Sequence, residues 1–409
     1  MDCVLFENAS LFDGTKPETP DGMFVLVEGN RIMEVSDRPI HTAVADKIDC
    51  SGRTLMPGLI DNHVHIYGES LKLGPPEPPI TYRAQYARQY LSHILSCGFT
   101  TVRDVGGGDH GMAMALRDGF LDGPRFFYGG AVISQTGGHG DMRPAHQGTD
   151  WCGCDGLRSA FAVIADGVAE CTKAVREELR KGAHHIKIMA SGGVVSPTDP
   201  LDRSQYSDAE ISVMVEECRR HGAYVAAHCH PTEAIRRCAA LGVRSIEHGT
   251  LIDEPTARFV ASVGAYVVPT LATIFALKDL GPAIGLTEAS SRKLSMVSER
   301  AIEGLAVMKK AGVKMGFGTD LIGQTHTRQG TEFTLRREAL TAYDILHSAT
   351  AINAEILDRQ GQLGVIAPGA LADLLLVDGN PLHDIELLAA NGAYLSVIMK
   401  DGRFSKRSI

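Results

Sequence analysis

Tryptophan is nearly missing from this chain, at one in 409 residues, within an aromatic share of only 6%. No apolar run approaches the ~18 residues of a membrane span, so a membrane is not an expected partner. There is no Lys/Arg block, and the formal charge of -9 excludes a nucleic-acid surface. The nine cysteines are scattered, odd in number and without a CxxC pair. That pattern suits reduced thiols in a cytoplasmic enzyme better than a disulfide framework. Cys152-Gly153-Cys154, the one close pair, reads as a loop with incidental thiols rather than a metal or redox site. The segment from Met1 to Asn8 has neither a basic flank nor a long apolar core, so no export signal is expected.

What is present is the balance of a globular protein, with 44% hydrophobic and 22% charged residues. A chain of 409 residues fits a large α/β barrel or a few compact units. Both ends read as short strands with turns: Val4 to Phe6, Met23 to Glu28, Arg31 to Val35 and Lys47 to Cys50, then Leu371 to Val377 and Tyr394 to Met399. Glu28-Gly29-Asn30-Arg31 is a hairpin turn. β-rich ends around a different middle predict one small β-domain assembled from residues 1–57 and 361–409. The middle, 58–360, alternates short apolar strands with amphipathic helices, the pattern of a parallel sheet. The strands are Leu59 to Ile66, Thr100 to Val105, Arg125 to Ile133, His185 to Ala190, Tyr224 to His228, Arg244 to His248, Ala265 to Val268 and Lys314 to Thr319. Helices are expected over Tyr82 to Ser96, Ala160 to Lys181, Asp208 to His221, Pro231 to Leu241 and Ser290 to Lys310. This number and length match a (β/α)8 TIM barrel, with a doubly wound sheet as the alternative. Long loops follow several strands, at Gly68 to Ile80, Ser134 to Gly156 and Ser191 to Tyr206, and loops of that length carry function.

The chemistry-bearing residues fall on those strands. In Asp61-Asn62-His63-Val64-His65 the strand period turns His63 and His65 to one face, where both can reach one cation. An HxH pair alone is as readily incidental. Lys187 lies in the apolar run Ile186 to Ala190, and lysine is seldom fully buried without a partner. It is either salt-bridged or carbamylated by CO2, which would turn a cation into a metal-bridging carboxylate. His228 and His248 end their strands, at the edge where barrel active sites form, and Asp320 follows the last strand. Their joint placement is hard to attribute to chance.

The order HxH, strand-4 lysine, strand-5 and strand-6 histidine and strand-8 aspartate resembles the amidohydrolase superfamily with a binuclear, carbamylated-lysine centre. Four further blocks are similar to its branch of prolidase-like and Xaa-Arg dipeptidases and ochratoxin-hydrolysing amidases. These are Met56-Pro57-Gly58-Leu59-Ile60-Asp61, Gly98 to Asp104, Thr136-Gly137-Gly138-His139-Gly140 and Ile186 to Gly193. Gly364 to Asp378 looks like that family's return to its β-sandwich domain. The resemblance implies two divalent ions, zinc, sharing a hydroxide and the Lys187 carbamate. His63, His65 and Asp320 would hold one ion, and His228 and His248 the other. Asp320 would accept the proton of the attacking hydroxide and pass it to the departing amine. The resemblance also implies a homo-oligomer.

Around this centre His139, in a Gly-rich loop, is expected to meet the substrate or the developing oxyanion. His230 is expected to line the pocket and Arg203 and Tyr206 to contact an anionic substrate end, with Trp151 a candidate for a lid. The expected function is hydrolysis of the amide bond of a dipeptide or N-acyl amino acid. A cyclic amide, imidazolone or lactone on the same centre is the alternative. A noncatalytic scaffold would have lost ligands that this chain keeps.

Overall fold

The computed structural model describes residues 3–42, 46–70, 78–143, 161–196, 199–284 and 286–409. Trp151, Cys152 and Cys154 lie outside these described residues. Strands from both ends of the chain share one eight-stranded mixed sheet. Its order is Arg403–Arg407, Leu395–Lys400, Leu374–Val377, Thr54–Pro57, Cys3–Leu11, Met23–Glu28 and Arg31–Ser36, with Asp46–Asp49 also paired to Cys3–Leu11. The expected hairpin forms with Glu28 opposite Arg31 and Gly29 at φ 58°, a conformation glycine adopts without steric cost. Leu374 and Leu376 join a core with Val4, Phe6 and Leu55, whereas Leu375 and Val377 join the main core with Leu91 and Phe99. A strand covered on both faces needs no polar alternation, which explains the unbroken apolar run.

The middle of the chain builds two parallel sheets with helices between the strands, the expected α/β pattern. One sheet holds Leu59–Val64, Phe99–Asp104 and Arg125–Tyr128. The other runs Ala162–Ile164, Val132–Ser134, Ile186–Met189, Val225–Pro231, Ser245–Leu251 and Tyr266–Val268. Local signals set the helix ends. Ser207 and Glu210 form a capping box ahead of Asp208–Arg220, and Thr287 caps Glu288–Ala311, which stops at Gly312 with φ 75°.

The structure departs from the sequence reading in three places. The expected strand Arg125 to Ile133 is two strands, in different sheets. Gly129-Gly130 makes the transfer: a Cβ at 129 would lie 2.8 Å from His185 Nε2, and one at 130 only 2.1 Å from Glu178 Oε2. The helix expected from Ala160 begins only at Gly167, because Ala162–Ile164 pairs with Val132–Ser134 instead. Lys314 to Thr319 is a spacer rather than a regular strand, with a single bridge from Met315 to Val267. Its backbone is nevertheless bonded on both sides: Gly316 N donates to Val267 O at 2.8 Å and Asn62 N to Phe317 O at 2.9 Å. Glycine is required there, since a Cβ at Gly318 would sit 2.6 Å from the Cβ of His63.

Candidate metal and active site

The parallel strands converge on a cluster of imidazoles. Ring centroids lie 5.4 Å apart for His63 and His65, 5.0 Å for His63 and His248, and 4.6 Å for His228 and His248. His230 lies 4.7 Å from His228, and His139 stacks on His228 at 4.3 Å. Asp320 Oδ1 is 3.4 Å from His63 Nε2 and 3.2 Å from His65 Nε2. The ligand atoms of His63, His65 and Asp320 all lie within 4.8 Å of one another, a spacing that could hold one metal ion.

Each ring has one nitrogen committed and one left over. Nδ1 of His63 meets Glu247 Oε2 at 2.7 Å, and Nδ1 of His65 meets Gly106 O at 3.1 Å. Nδ1 of His248 meets Thr270 Oγ1 at 2.7 Å, Nδ1 of His230 meets Thr250 Oγ1 at 2.7 Å, and Nε2 of His228 meets Gly192 O at 3.2 Å. A carbonyl or carboxylate partner accepts the N–H of the far nitrogen and so defines the tautomer, as at His63, His65 and His228. The hydroxyl partners of His230 and His248 fix the ring's orientation. His228 and His248 are held well below the ordinary imidazole range by desolvation and then by neighbouring rings, whereas at His65 burial is outweighed by Asp320 and Asp104, which raise the pKa of that ring. Desolvation pushes His139 and His230 down to about 3. Neutral imidazole is the form that ligates a metal.

Backbone strain supports the cluster. Glu247 and His248 are consecutive in one strand, and regular alternation would send them to opposite faces. His248 has φ 73° and Asp320 φ 53°, left-handed values that non-glycine residues adopt at a cost. The turn at His248 lets both neighbours address His63. Burial alone would raise the Asp320 carboxyl, but the His63 and His65 rings outweigh it and hold the group well below the ordinary range.

Lys187 sits in Ile186–Met189, 1% exposed, two strands from His248. Burial lowers its pKa against the opposing pull of Glu247 and Asp320. Its amine forms no hydrogen bond or ion pair among the described residues. A buried ammonium without a bonded partner is costly, which is the physical source of that lowering.

The remaining expected residues divide. His139 is buried; its Nδ1 meets Ser196 Oγ at 2.8 Å, and its ring fills the space over Gly193, where a Cβ would lie 2.1 Å from Cε1. Tyr206 is buried too, but its hydroxyl donates to Ala165 O at 3.1 Å, against the loop before the Gly167–Arg180 helix. Arg203 is exposed, and its backbone carbonyl accepts from Gly192 N at 3.1 Å. Sequence reasoning gave no role to Glu247, Arg103, Asp104, Thr270, Ser196 or Lys293. Asp104 accepts the amides of Ile66, Gly106 and Gly108 at 2.7, 2.9 and 2.8 Å, fixing the loop whose carbonyl orients His65. Lys293 Nζ donates to the carbonyls of Gly193, Ser196 and Asp199 at 2.9, 3.1 and 2.6 Å. The available signal was charge inside apolar strands, as in Arg103-Asp104 and Glu247.

Buried imidazoles carried by the parallel strands and facing Asp320 make a candidate metal centre, of the kind a metal-dependent hydrolase needs. The chain matches the amidohydrolase family over residues 54–403 and belongs to it, in the branch of prolidase-like enzymes and ochratoxinase. It is a hydrolase of amide bonds, in a family that is generally metal-dependent. It is 33% identical to the ochratoxinase of Aspergillus niger over 366 residues, 86% of this chain and 75% of that protein. A prolidase crystallised with N-methylphosphonate-L-proline is 44% identical, with a TM-score of 0.96 over 99% of this chain and 100% of that one. A Xaa-Pro dipeptidase with methionine in its active site is 31% identical, with a TM-score of 0.88 over 99% and 100% of the two chains.

Proposed function

We propose that this enzyme cleaves the amide bond of dipeptides or N-acyl amino acids that carry a free carboxylate on the leaving amino acid. The observation that carries the reading is the set of oriented imidazoles facing Asp320 and the unpaired Lys187. Relatives described as prolidase and Xaa-Pro dipeptidase support the substrate class. The fold reading that goes with it is a (β/α)8 barrel over 58–360, with a β-sandwich domain from 1–57 and 361–409. Bonds on both sides of the Lys314 to Asp320 segment support ring closure, as does Asn353, whose Nδ2 donates to Ile60 O at 2.6 Å and Phe317 O at 2.8 Å. The free state of the described cysteines supports a cytoplasmic setting.

His63, His65 and Asp320 would hold one divalent ion of the zinc type, and His228 and His248 a second, with Lys187, carbamylated by CO2, as a further ligand. Bound there, the ions would acidify the attacking water and polarise the scissile carbonyl. Asp320 takes the proton of that water on its carboxylate and delivers it to the leaving amine nitrogen. His139, its Nδ1 held by Ser196 Oγ at 2.8 Å, would stand beside the developing oxyanion. His230 offers Nε2 to the substrate beside His248. We place Arg203 and Tyr206 outside the substrate contacts, because Arg203 is exposed and the Tyr206 hydroxyl is engaged. A panel of dipeptides, N-acyl amino acids, cyclic amides, imidazolones and lactones tests the reading with zinc-loaded protein. Release of free amino acid from the first groups is expected; turnover confined to lactones or cyclic substrates overturns it.

A further inference from the structure

We propose that Glu247, anchored by Arg103, is the positioning residue that fixes the His63 ring and thereby sets the affinity of the metal centre. The inference rests on His63 as a metal ligand. Glu247 Oε2 lies 2.7 Å from His63 Nδ1, and Oε1 accepts from Arg103 Nη2 at 2.8 Å and from Ser245 Oγ at 2.5 Å. Glu247 and Arg103 are both fully buried, at 0% exposure.

Arg–carboxylate pairs frequently set the fork of the guanidinium against both carboxylate oxygens. Arg103 does otherwise. Only Nη2 reaches Glu247, while Nε donates to Asn62 O at 2.7 Å and Nη1 to the Tyr224 hydroxyl at 3.4 Å. The second carboxylate oxygen is thus left for His63. One guanidinium therefore holds the carboxylate that orients the ring and the backbone residue that precedes it. Among the described residues His65, His228 and His248 turn their committed nitrogens to carbonyls or a hydroxyl, and His63 alone of these ligands turns to a carboxylate. A carboxylate accepting Nδ1–H locks the tautomer, aims Nε2 and makes the ring a more basic ligand.

Metal retention tests this. Wild type, Glu247→Gln and Glu247→Asp are loaded with zinc and dialysed against graded chelator. Zinc per chain is then measured, and thermal melting of each apo form reports folding. Asp keeps a charge beside Arg103 while withdrawing it from His63, so it guards against a Gln variant that fails to fold. Folded variants are expected to lose zinc at about 10- to 100-fold lower chelator strength. Retention equal to wild type in a folded variant overturns the role. If neither variant folds, nitrogen-15 histidine NMR of the zinc-loaded wild type decides. A protonated Nδ1 on His63 supports the role, and an unprotonated or metal-bound Nδ1 ends it. A wild type that takes up no divalent ion removes the metal-centre reading, and this inference with it.

Discussion

Asp320 meets His63 twice: its backbone amide donates to His63 O at 2.8 Å, and its Oδ1 lies 3.4 Å from the His63 Nε2. The carboxylate is therefore held beside the ring by the main chain, independently of any ion. Asp320→Asn preserves that backbone bond and the side-chain volume but removes the proton acceptor. Turnover is expected to fall by about 10²–10⁴-fold with most of the zinc retained, as checked by metal analysis alongside amide hydrolysis. Full activity in the metal-bound variant would falsify the proton-carrier role.

Lys187 is the second test. Neutral amine is the form that attacks CO2, and burial shifts Lys187 toward it by lowering its pKa. Supplying carbon-13 bicarbonate with zinc is expected to give a carbamate NMR signal in the wild type and none in Lys187→Ala. The variant is expected to lose about one zinc per chain, since the bridging ligand is gone. Equal zinc content in both proteins would argue against a carbamate bridge.

Lys293 reaches from the Glu288–Ala311 helix to three carbonyls of the loop that carries Ser196, and Ser196 holds His139. Lys293→Met removes the grip without touching a proposed metal ligand. Zinc content is expected to stay at the wild-type level while kcat/KM drops by about tenfold, the equivalent of roughly 1.4 kcal/mol. An unchanged kcat/KM means that the loop orders His139 without this lysine.

His326 makes acid sensitivity predictable. Its Nδ1 meets the Tyr86 hydroxyl at 2.8 Å and its ring stacks on Tyr90 at 3.4 Å. Burial pushes its pKa from 6.5 down to about 3. Between those values only the unfolded chain binds the proton, so stability is lost as pH falls below 6.5. From neutrality to about pH 4.5 the wild-type apoprotein is expected to lose roughly 2–3 kcal/mol more than His326→Gln. Denaturant titrations at both pH values measure this, and identical losses would exclude His326 as the source.

Much of the site was legible because strand period is written locally. His63 and His65 share a face by alternation, whereas His228 and His248, expected to end their strands, lie inside strands that continue to Pro231 and Leu251. The partners of those residues were not legible. His63 and Glu247 are separated by 184 positions, and Arg103 and Glu247 by 144. No local pattern pairs them; only the parallel sheets do. The fold shows the same division. The strand from Leu59 and the helix from Asp208 follow from period and capping. The splitting of Arg125 to Ile133 depends on Glu178 and His185, side chains that press on two glycines from elsewhere in the chain. Tyr206 shows the same limit, since no local pattern pairs its hydroxyl with the carbonyl of Ala165.

The Thr54–Pro57 strand, which runs through Gly58 into the strand bearing His63, pairs antiparallel with Leu374–Val377, and Gly58 N donates to Asp373 O at 2.8 Å. During synthesis on the ribosome, the entry to the first metal-binding strand therefore has no sheet neighbour on that side until residue 377 has emerged. Closing of that sheet edge is deferred until residue 377 has been made, so a nascent chain cut short of that point carries the HxH pair without this pairing.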